Sequence, residues 1–340
     1  MSDSDAMSPG PRLMLLDTAS LYFRAFYGMP DSLRTPDGQP VNAVRGLLDF
    51  IARLIRDHEA THLVACWDND WRPQWRVDLL PSYKTHRVAV PEPGSAAAMV
   101  VGAGGVGAES GVAELAPDTL APQVPWIEQT LTALGIPVIG VDGFEADDVI
   151  ATLATRFAPA CARVDVVTGD RDLFQLVDDE AGIRCLYTAR GMSNLAAVDA
   201  SWVREKYGIE PQRYADFAAL RGDTSDGIPG VAGVGEKTAA VLVNAYADLA
   251  ALVAAADDPT SGLTKAQRNR IVAGRDYLAY AGDVVRTRQD LEVAPTLTEL
   301  RIPGAPVDPA AFTQLTDRLG LGTSAERIID ALSVVGAAPR

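Results

Sequence analysis

Nine carboxylates stand where strands and turns would bring chemistry together. Asp17 closes the apolar run 12–16, and Asp68 closes a second run, 62–67. Glu145, Asp147 and Asp148 crowd the start of an expected helix in Gly143-Phe144-Glu145-Ala146-Asp147-Asp148, while Asp170 and Asp172 follow the run 164–168. Asp223 and Asp226 occupy the turn Gly222-Asp223-Thr224-Ser225-Asp226-Gly227. Each alone has an ordinary explanation, since acids at helix starts complement the dipole and Asp-Gly turns are common. Together they do not, because like charges converging in one cleft cannot all stay ionised without cations. Oxygen donors in this number suit Mg²⁺ or Mn²⁺, with waters completing the shells. Two such ions roughly 4 Å apart can activate water and stabilise the leaving oxygen in phosphodiester hydrolysis. One side of the set is expected from Asp17, Asp68, Glu145 and Asp147, the other from Asp148, Asp170, Asp172, Asp223 and Asp226. Which of them meets metal directly and which through water is left open.

Three further segments bear on function. Between residues 71 and 87, Arg72, Arg76, Lys84, His86 and Arg87 interleave with Trp71, Trp75 and Tyr83. Cations beside a stacking ring suit single-stranded nucleic acid, and Lys84 or Arg87 is suited to steady a scissile phosphate. The second segment, His58-Glu59-Ala60-Thr61-His62, matches a zinc-protease pattern. That pattern needs both histidines on one helical face, whereas here it straddles a helix end and a strand start. In the third, 230–238, Glu236 separates Gly235 from Lys237, which breaks the P-loop spacing. A glycine turn between two helices fits better, with Gly230, Gly233 and Gly235 admitting a backbone phosphate beside Lys237 and Thr238.

The elements that must position these residues follow from periodicity. Strands are predicted at 12–17, 62–68, 136–140 and 164–168, with helices at 21–27, 44–57 and 124–134 and another opening at Phe144-Glu145. Strands alternating with helices imply an α/β fold, a mostly parallel sheet with helices on both faces. Beyond about residue 211 the chain reads as helical. Residues 88–122 are poor in charge and rich in Pro, Gly, Ala and Val, read as a loop or disordered insertion, and 1–11 as a disordered lead-in.

The 340 residues carry a formal charge of −15, which disfavours a nucleic-acid partner unless the acids are gathered where cations sit. Two or three bound divalent ions would offset about four to six of those charges. Cys66, Cys161 and Cys185 are scattered, which suits a reducing compartment, and no run is long enough for a membrane span. A cytoplasmic protein is expected.

In this order, the motifs resemble the 5′ nuclease domain at the N terminus of bacterial DNA polymerase I and its flap-endonuclease relatives. The resemblance spans about residues 13–332. It is carried by Leu16-Asp17 with Arg24 following, Trp67-Asp68, Tyr83-Lys84-x-x-Arg87, Gly143 to Asp148, Thr168-Gly169-Asp170-Arg171-Asp172-Leu173-Phe174-Gln175-Leu176, Gly222 to Val231, and Gly233-Val234-Gly235-Glu236-Lys237-Thr238-Ala239. It implies a PIN-like α/β nuclease core over 12–210, a helical arch within 71–122, and, over 211–340, a helix-two-turn-helix module whose hairpin often holds K⁺, followed by C-terminal helices. It also implies two or three Mg²⁺ or Mn²⁺ ions on the nine carboxylates, Lys84 and Arg87 acting near the phosphate, and Arg24 as a 5′-strand or phosphate contact. Arg72, Arg76 and Tyr83 are expected to touch DNA with the hairpin residues. The expected substrates are flapped, nicked or 5′-ended duplexes, with RNA primers included, handled by a monomer. The Ala/Gly/Val-rich insertion, 95–117, falls where the arch is expected, and at this length the chain reads as a stand-alone nuclease. Two rivals are a metal-dependent ribonuclease and a non-catalytic DNA-end binder.

Overall fold

A computed structural model of the chain describes residues 10–88, 114 and 117–336. Its elements run β1 (Arg12–Asp17), α1 (Thr18–Gly28), α2 (Asn42–His58), β2 (His62–Cys66), α3 (Gln74–Leu79), α4 (Gln123–Leu134), β3 (Val138–Ile139), α5 (Ala146–Phe157), β4 (Arg163–Thr168), β5 (Ile183–Tyr187), β6 (Ala196–Val198) and α6 (Ala200–Tyr207). They continue through α7 (Tyr214–Arg221), α8 (Glu236–Ala245), α9 (Leu249–Asp257), α10 (Lys265–Ala273), α11 (Arg275–Val285), α12 (Pro309–Leu319) and α13 (Thr323–Gly336).

The sheet order is β3-β2-β1-β4-β5-β6, parallel throughout except for β6, which pairs antiparallel to β5. Both faces are covered, which is why the central strands read as unbroken apolar runs. Leu13 and Leu15 point into one core with Val64, Val166 and the α5 residues Val149, Ile150 and Leu153. Met14 and Leu16 point into the other, with Leu47, Ile51 and Ile55 of α2. The chain winds outward in both directions from β1 and β4, so the crevice beyond their carboxyl ends is the switch point where α/β sheets build sites. Leu16 pairs with both Ala65 and Val167, so Asp17 leaves the sheet midway between the ends of β2 and β4.

Several expectations need adjustment. The third strand is shorter than the run 136–140, and β5 and β6 were not anticipated. Ile183-Arg184-Cys185-Leu186-Tyr187 is brief and broken by a charge, so its pairing with β4 rather than its own pattern makes it a strand. Pro11, placed by sequence in the lead-in, already accepts a bond from Ala162 N at 2.8 Å. Residues 1–9 of that lead-in and most of the expected arch and insertion lie outside the described residues. The helices after residue 211 do not all stay together: Phe312 and Leu315 of α12, with Ile328 and Leu332 of α13, return to the core face formed by α2. No single helix among the described residues is long and apolar enough to cross a membrane.

Candidate active site

Asp17 serves two ends. Its Oδ1 caps α1 by accepting from Ser20 N at 3.1 Å, and its Oδ2 accepts from Thr168 Oγ1 at 2.7 Å, tying β1 to β4. Asp68, just past β2, accepts from Ala146 N at 2.7 Å and so docks the start of α5 beside the sheet. Asp147 in the first turn of α5 and Asp170 after β4 complete one wall. Asp17, Asp68, Asp147 and Asp170 line a cleft of about 460 Å³ together with Ser20, Lys84, Arg87, Gly169, Arg171, Tyr187 and Ser225. Four acids from four separate chain segments thus share one opening with three cations and three hydroxyls.

The other five carboxylates stand differently. Asp226 borders the cleft and is paired with Arg87 at 2.8 Å. Asp172 is buried, and its Oδ1 has no partner among the described residues. Asp223 is held by Arg171 at 2.8 Å, Arg221 at 3.1 Å and Ser225 N at 2.9 Å, which keeps its carboxyl below the usual range despite burial. Glu145 caps α5 beneath the cleft and is gripped by Arg76, Lys84 and by Tyr83, whose hydroxyl donates at 2.7 Å.

Asp148 is a correction. It is fully buried, receives both Arg76 terminal nitrogens at 2.8 and 2.7 Å, and accepts from Arg288 N at 2.8 Å. Successive helix residues point about 100° apart, so Asp147 faces the cleft while Asp148 faces the interior. The expected DNA contacts at Arg76 and Tyr83 are corrected likewise. Both are buried, at 2% and 4% exposed, and they neutralise and bond Glu145 instead of meeting solvent. Arg72 donates to the carbonyls of Tyr83 at 2.6 Å and Pro81 at 3.0 Å, clasping the loop that carries Lys84.

That loop is locked from two sides. Lys84 has a left-handed φ of 48°, uncommon for a side chain of its size, and its backbone N donates to Asp226 O at 2.9 Å. Gly227 makes this approach feasible: a Cβ there would sit 2.2 Å from Ser82 O. The Asp223–Gly227 turn is therefore part of the site's floor. Farther along, Gly222 and Gly230 meet backbone to backbone, and a Cβ on Gly230 would lie 2.6 Å from Gly222 N. Gly230 thus serves the protein's own packing. Gly233 and Gly235 are exposed at the start of α8 with Lys237, and Arg270 of α10 stands beside Gly233.

The residues fit divalent cations. Burial, then the neighbouring Asp68, pushes Asp17 up to about 7, and burial with Asp170 lifts Asp147 and Asp172 well above the carboxylate range. Asp226 rises to about 6, again chiefly through burial. Hard oxygen donors at such strain, with one buried oxygen unpartnered, are what a cation relieves. No cage of three ligands is already closed among the described residues; the acids line a space instead of meeting at a point. In chelator, the native state keeps protons that the unfolded chain has lost between about pH 4 and pH 7, so stability falls as pH rises through that window. The melting temperature in EDTA is therefore expected to drop by several degrees from about pH 5 to pH 7.5, and Mg²⁺ or Mn²⁺ to restore it more at the higher pH. Melting curves insensitive to both pH and metal would count against a gathered acidic site.

Two family models match the chain: the 5′-3′ exonuclease N-terminal resolvase-like domain over residues 12–208 and the 5′-3′ exonuclease C-terminal SAM fold over 209–308. The chain belongs to the 5′-3′ exonuclease family. It is a nuclease hydrolysing phosphodiester bonds, of the group that includes flap endonucleases, with the role in replication and repair typical of that family. It is 54% identical over 320 residues to a 5′-3′ exonuclease of Streptomyces coelicolor, covering 94% of this chain and all of the relative. It is 44% identical over 328 residues to one from Mycobacterium tuberculosis, covering 95% and 98%. Against DNA polymerase I of Mycobacterium bovis the identity is 38%, covering 96% of this chain but 32% of the polymerase. The fold is also that of the T5 5′-exonuclease solved with zinc, at 14% identity, TM-score 0.59 and coverage of 95% and 99%. The catalytic core of Rad2 solved with DNA is similar at 15% identity, TM-score 0.54 and coverage of 95% and 93%.

Sequence reasoning left out several residues of this nuclease's cleft. Gly169 and Arg171 lay inside a quoted motif without a role, as did Thr168, which bonds Asp17 from behind the cleft. Ser20 and Ser225 carry no signal stronger than their neighbours', and Tyr187 sits on a strand that the pattern did not reveal.

Proposed function

We propose that the enzyme cleaves DNA at 5′ flaps, nicks and 5′ ends, as a monomer in the cytoplasm, with two or three Mg²⁺ or Mn²⁺ ions. The observation that carries this is the meeting of Asp17, Asp68, Asp147 and Asp170 in one cleft with Lys84, Arg87 and Arg171. These four acids would hold the metal, with Asp172 and Asp226 adjoining and Glu145 and Asp223 acting through their neighbours. When bound, the ions supply an activated water and neutralise charge on the leaving oxygen. Lys84 and Arg87 steady the scissile phosphate from the opposite wall. Their present partners, Glu145 and Asp226, hold both cations at the cleft edge until a phosphate competes for them.

Duplex DNA would lie along the turn before α8, where Gly233, Gly235 and the amides of Lys237 and Thr238 face a phosphate beside Lys237 and Arg270. A K⁺ ion at this hairpin is part of the proposal, and Arg24 contacts the 5′ strand. Arg24 reaches toward the cleft: its Nη2 lies 3.5 Å from where a Cβ on Gly169 would be. Frayed terminal nucleotides then present a phosphate to the acids. Unpairing costs a few kcal/mol and is cheapest at flaps and ends, which favours structure over sequence and extends to RNA primers on DNA.

The test is cleavage of 5′-flap, nicked and blunt duplexes, each strand labelled, with Mn²⁺ and with chelator. Metal-dependent products from the 5′ strand are expected. Preferential cutting of RNA hairpins would favour the ribonuclease reading, and flap binding with no turnover in Mn²⁺ would favour an end-binding protein.

A further inference from the structure

Tyr187 is the last residue of β5 and pairs in register with Thr168, one step before Gly169 and Asp170. Its ring lines the acidic cleft beside Asp17, Gly169, Asp170 and Arg171, and among the described residues it is the cleft's one aromatic side chain. The other rings near the carboxylates are interior: Tyr22, Trp71 and Tyr83 are each 5% exposed or less, and Tyr83 bonds Glu145. Tyr187 is half-buried, with one part held and another open. The held part meets Phe174 edge-on at 5.0 Å, and Phe174 is fixed in turn by Trp202 at 5.5 Å and Tyr214 at 5.6 Å. A ring so braced has little rotamer freedom left to lose when it binds something flat.

The surroundings select what that would be. Arg24 and Arg171 lie near enough to the phenol to favour its ionised form, against the burial that pushes it up. The next residue, Thr188, is fully buried with a hydroxyl that has no partner among the described residues. Ser20 Oγ accepts from Gly169 N at 3.1 Å on the same side. A flat apolar face flanked by two guanidinium groups is matched to a nucleotide, base on the ring and phosphate on the cations; a bare anion would leave the ring without use.

We propose that Tyr187 is the stacking platform for the unpaired nucleobase next to the scissile phosphate, making it a specificity-determining residue that favours frayed over paired ends. The proposal rests on the nuclease reading above. Stacking accepts any base, which agrees with recognition of structure instead of sequence.

The test pairs variants with substrates: wild type, Y187A, Y187F and Y187W, each on a 5′ flap and on the same flap with an abasic site placed on either side of the scissile phosphate in turn. Y187A is expected to lower kcat/KM on the intact flap about tenfold to a hundredfold, the range of one base-aromatic stack. Wild type should lose a similar factor at one abasic position, Y187A should lose nothing more there, and Y187F and Y187W should stay near wild type. An unaltered Y187A, losses from Y187A and the abasic site that multiply, or a Y187F as impaired as Y187A would each overturn the proposal. If Y187A melts below the assay temperature, Y187L, which retains apolar contact with Phe174, takes its place. Wild-type turnover of the intact flap in Mn²⁺ is the control: its failure overturns the nuclease reading and not the stacking assignment alone.

Discussion

Asp170→Asn is expected to lower phosphodiester cleavage by about three orders of magnitude while leaving folding and flap binding near the parent's. The reason is the separation of charge from shape. Asp170 Oδ1 accepts from Asp172 N at 2.8 Å, and its own N–H donates to Thr168 Oγ1 at 2.8 Å. An asparagine keeps that turn but brings no negative charge to a hard cation, and several kcal/mol of charge stabilisation correspond to that loss in rate. A second readout is independent of turnover. Asp170 helps raise Asp17, Asp147, Asp172 and Asp226, so its neutralisation should bring them back toward the ordinary range and flatten the loss of stability with pH in chelator. Cleavage within tenfold of the parent in Mn²⁺ would remove Asp170 from the metal set. Asp148→Asn, one helix position from a cleft residue, should act instead through stability, because Asp148 meets Arg76 and not the cleft.

Arg76→Ala should be the most destabilising single change of those considered, at about 3–5 kcal/mol, since it strips a buried ion network of its cation. Arg76 reaches Glu145, both oxygens of Asp148, and Val284 O at 3.0 Å, and its guanidinium lies 4.4 Å from the Trp75 ring centre. Burial alone would raise Glu145, yet Lys84 and Arg76 more than offset it and hold the acid ionised. Without Arg76, Asp148 loses its only ion-pair partner among the described residues, and α3 loses a tie to α5 and to the end of α11. Glu145 is also the anchor of Lys84, so activity should fall further than unfolding explains. Arg76→Lys keeps the charge but not the planar fork, and it should recover part of the stability. Urea unfolding measures both. A loss below about 1 kcal/mol, the size of a surface pair, would show that the network does not brace the site.

How far the sequence reached depends on the range of the forces involved. Asp17, Asp68 and Asp170 end or follow apolar runs, and Glu145 begins a helix with a reciprocal cap to its third residue. These are local patterns set by period and capping, and they read directly along the chain. The parallel sheet follows from alternation, and the site's location at the strand ends follows from that sheet. Tyr83, Lys84 and Arg87 read equally well as one exposed cationic stretch, but only two of them reach the cleft.

What the tertiary structure alone decided was pairing between distant segments. Asp147 and Asp148 are alike in type and neighbours in sequence; the arrival of Arg76 under one side of α5 makes one a cleft acid and the other a core ion pair. Likewise β5 exists because β4 offers it an edge, and only that pairing brings Tyr187 to the cleft. Gly230 is fixed by Gly222 across a turn, and α12 and α13 return to α2 over a separation that no local period records. Burial and charge pairing depend on which segments meet in space, and a linear pattern carries the tendency of each segment without naming its partner.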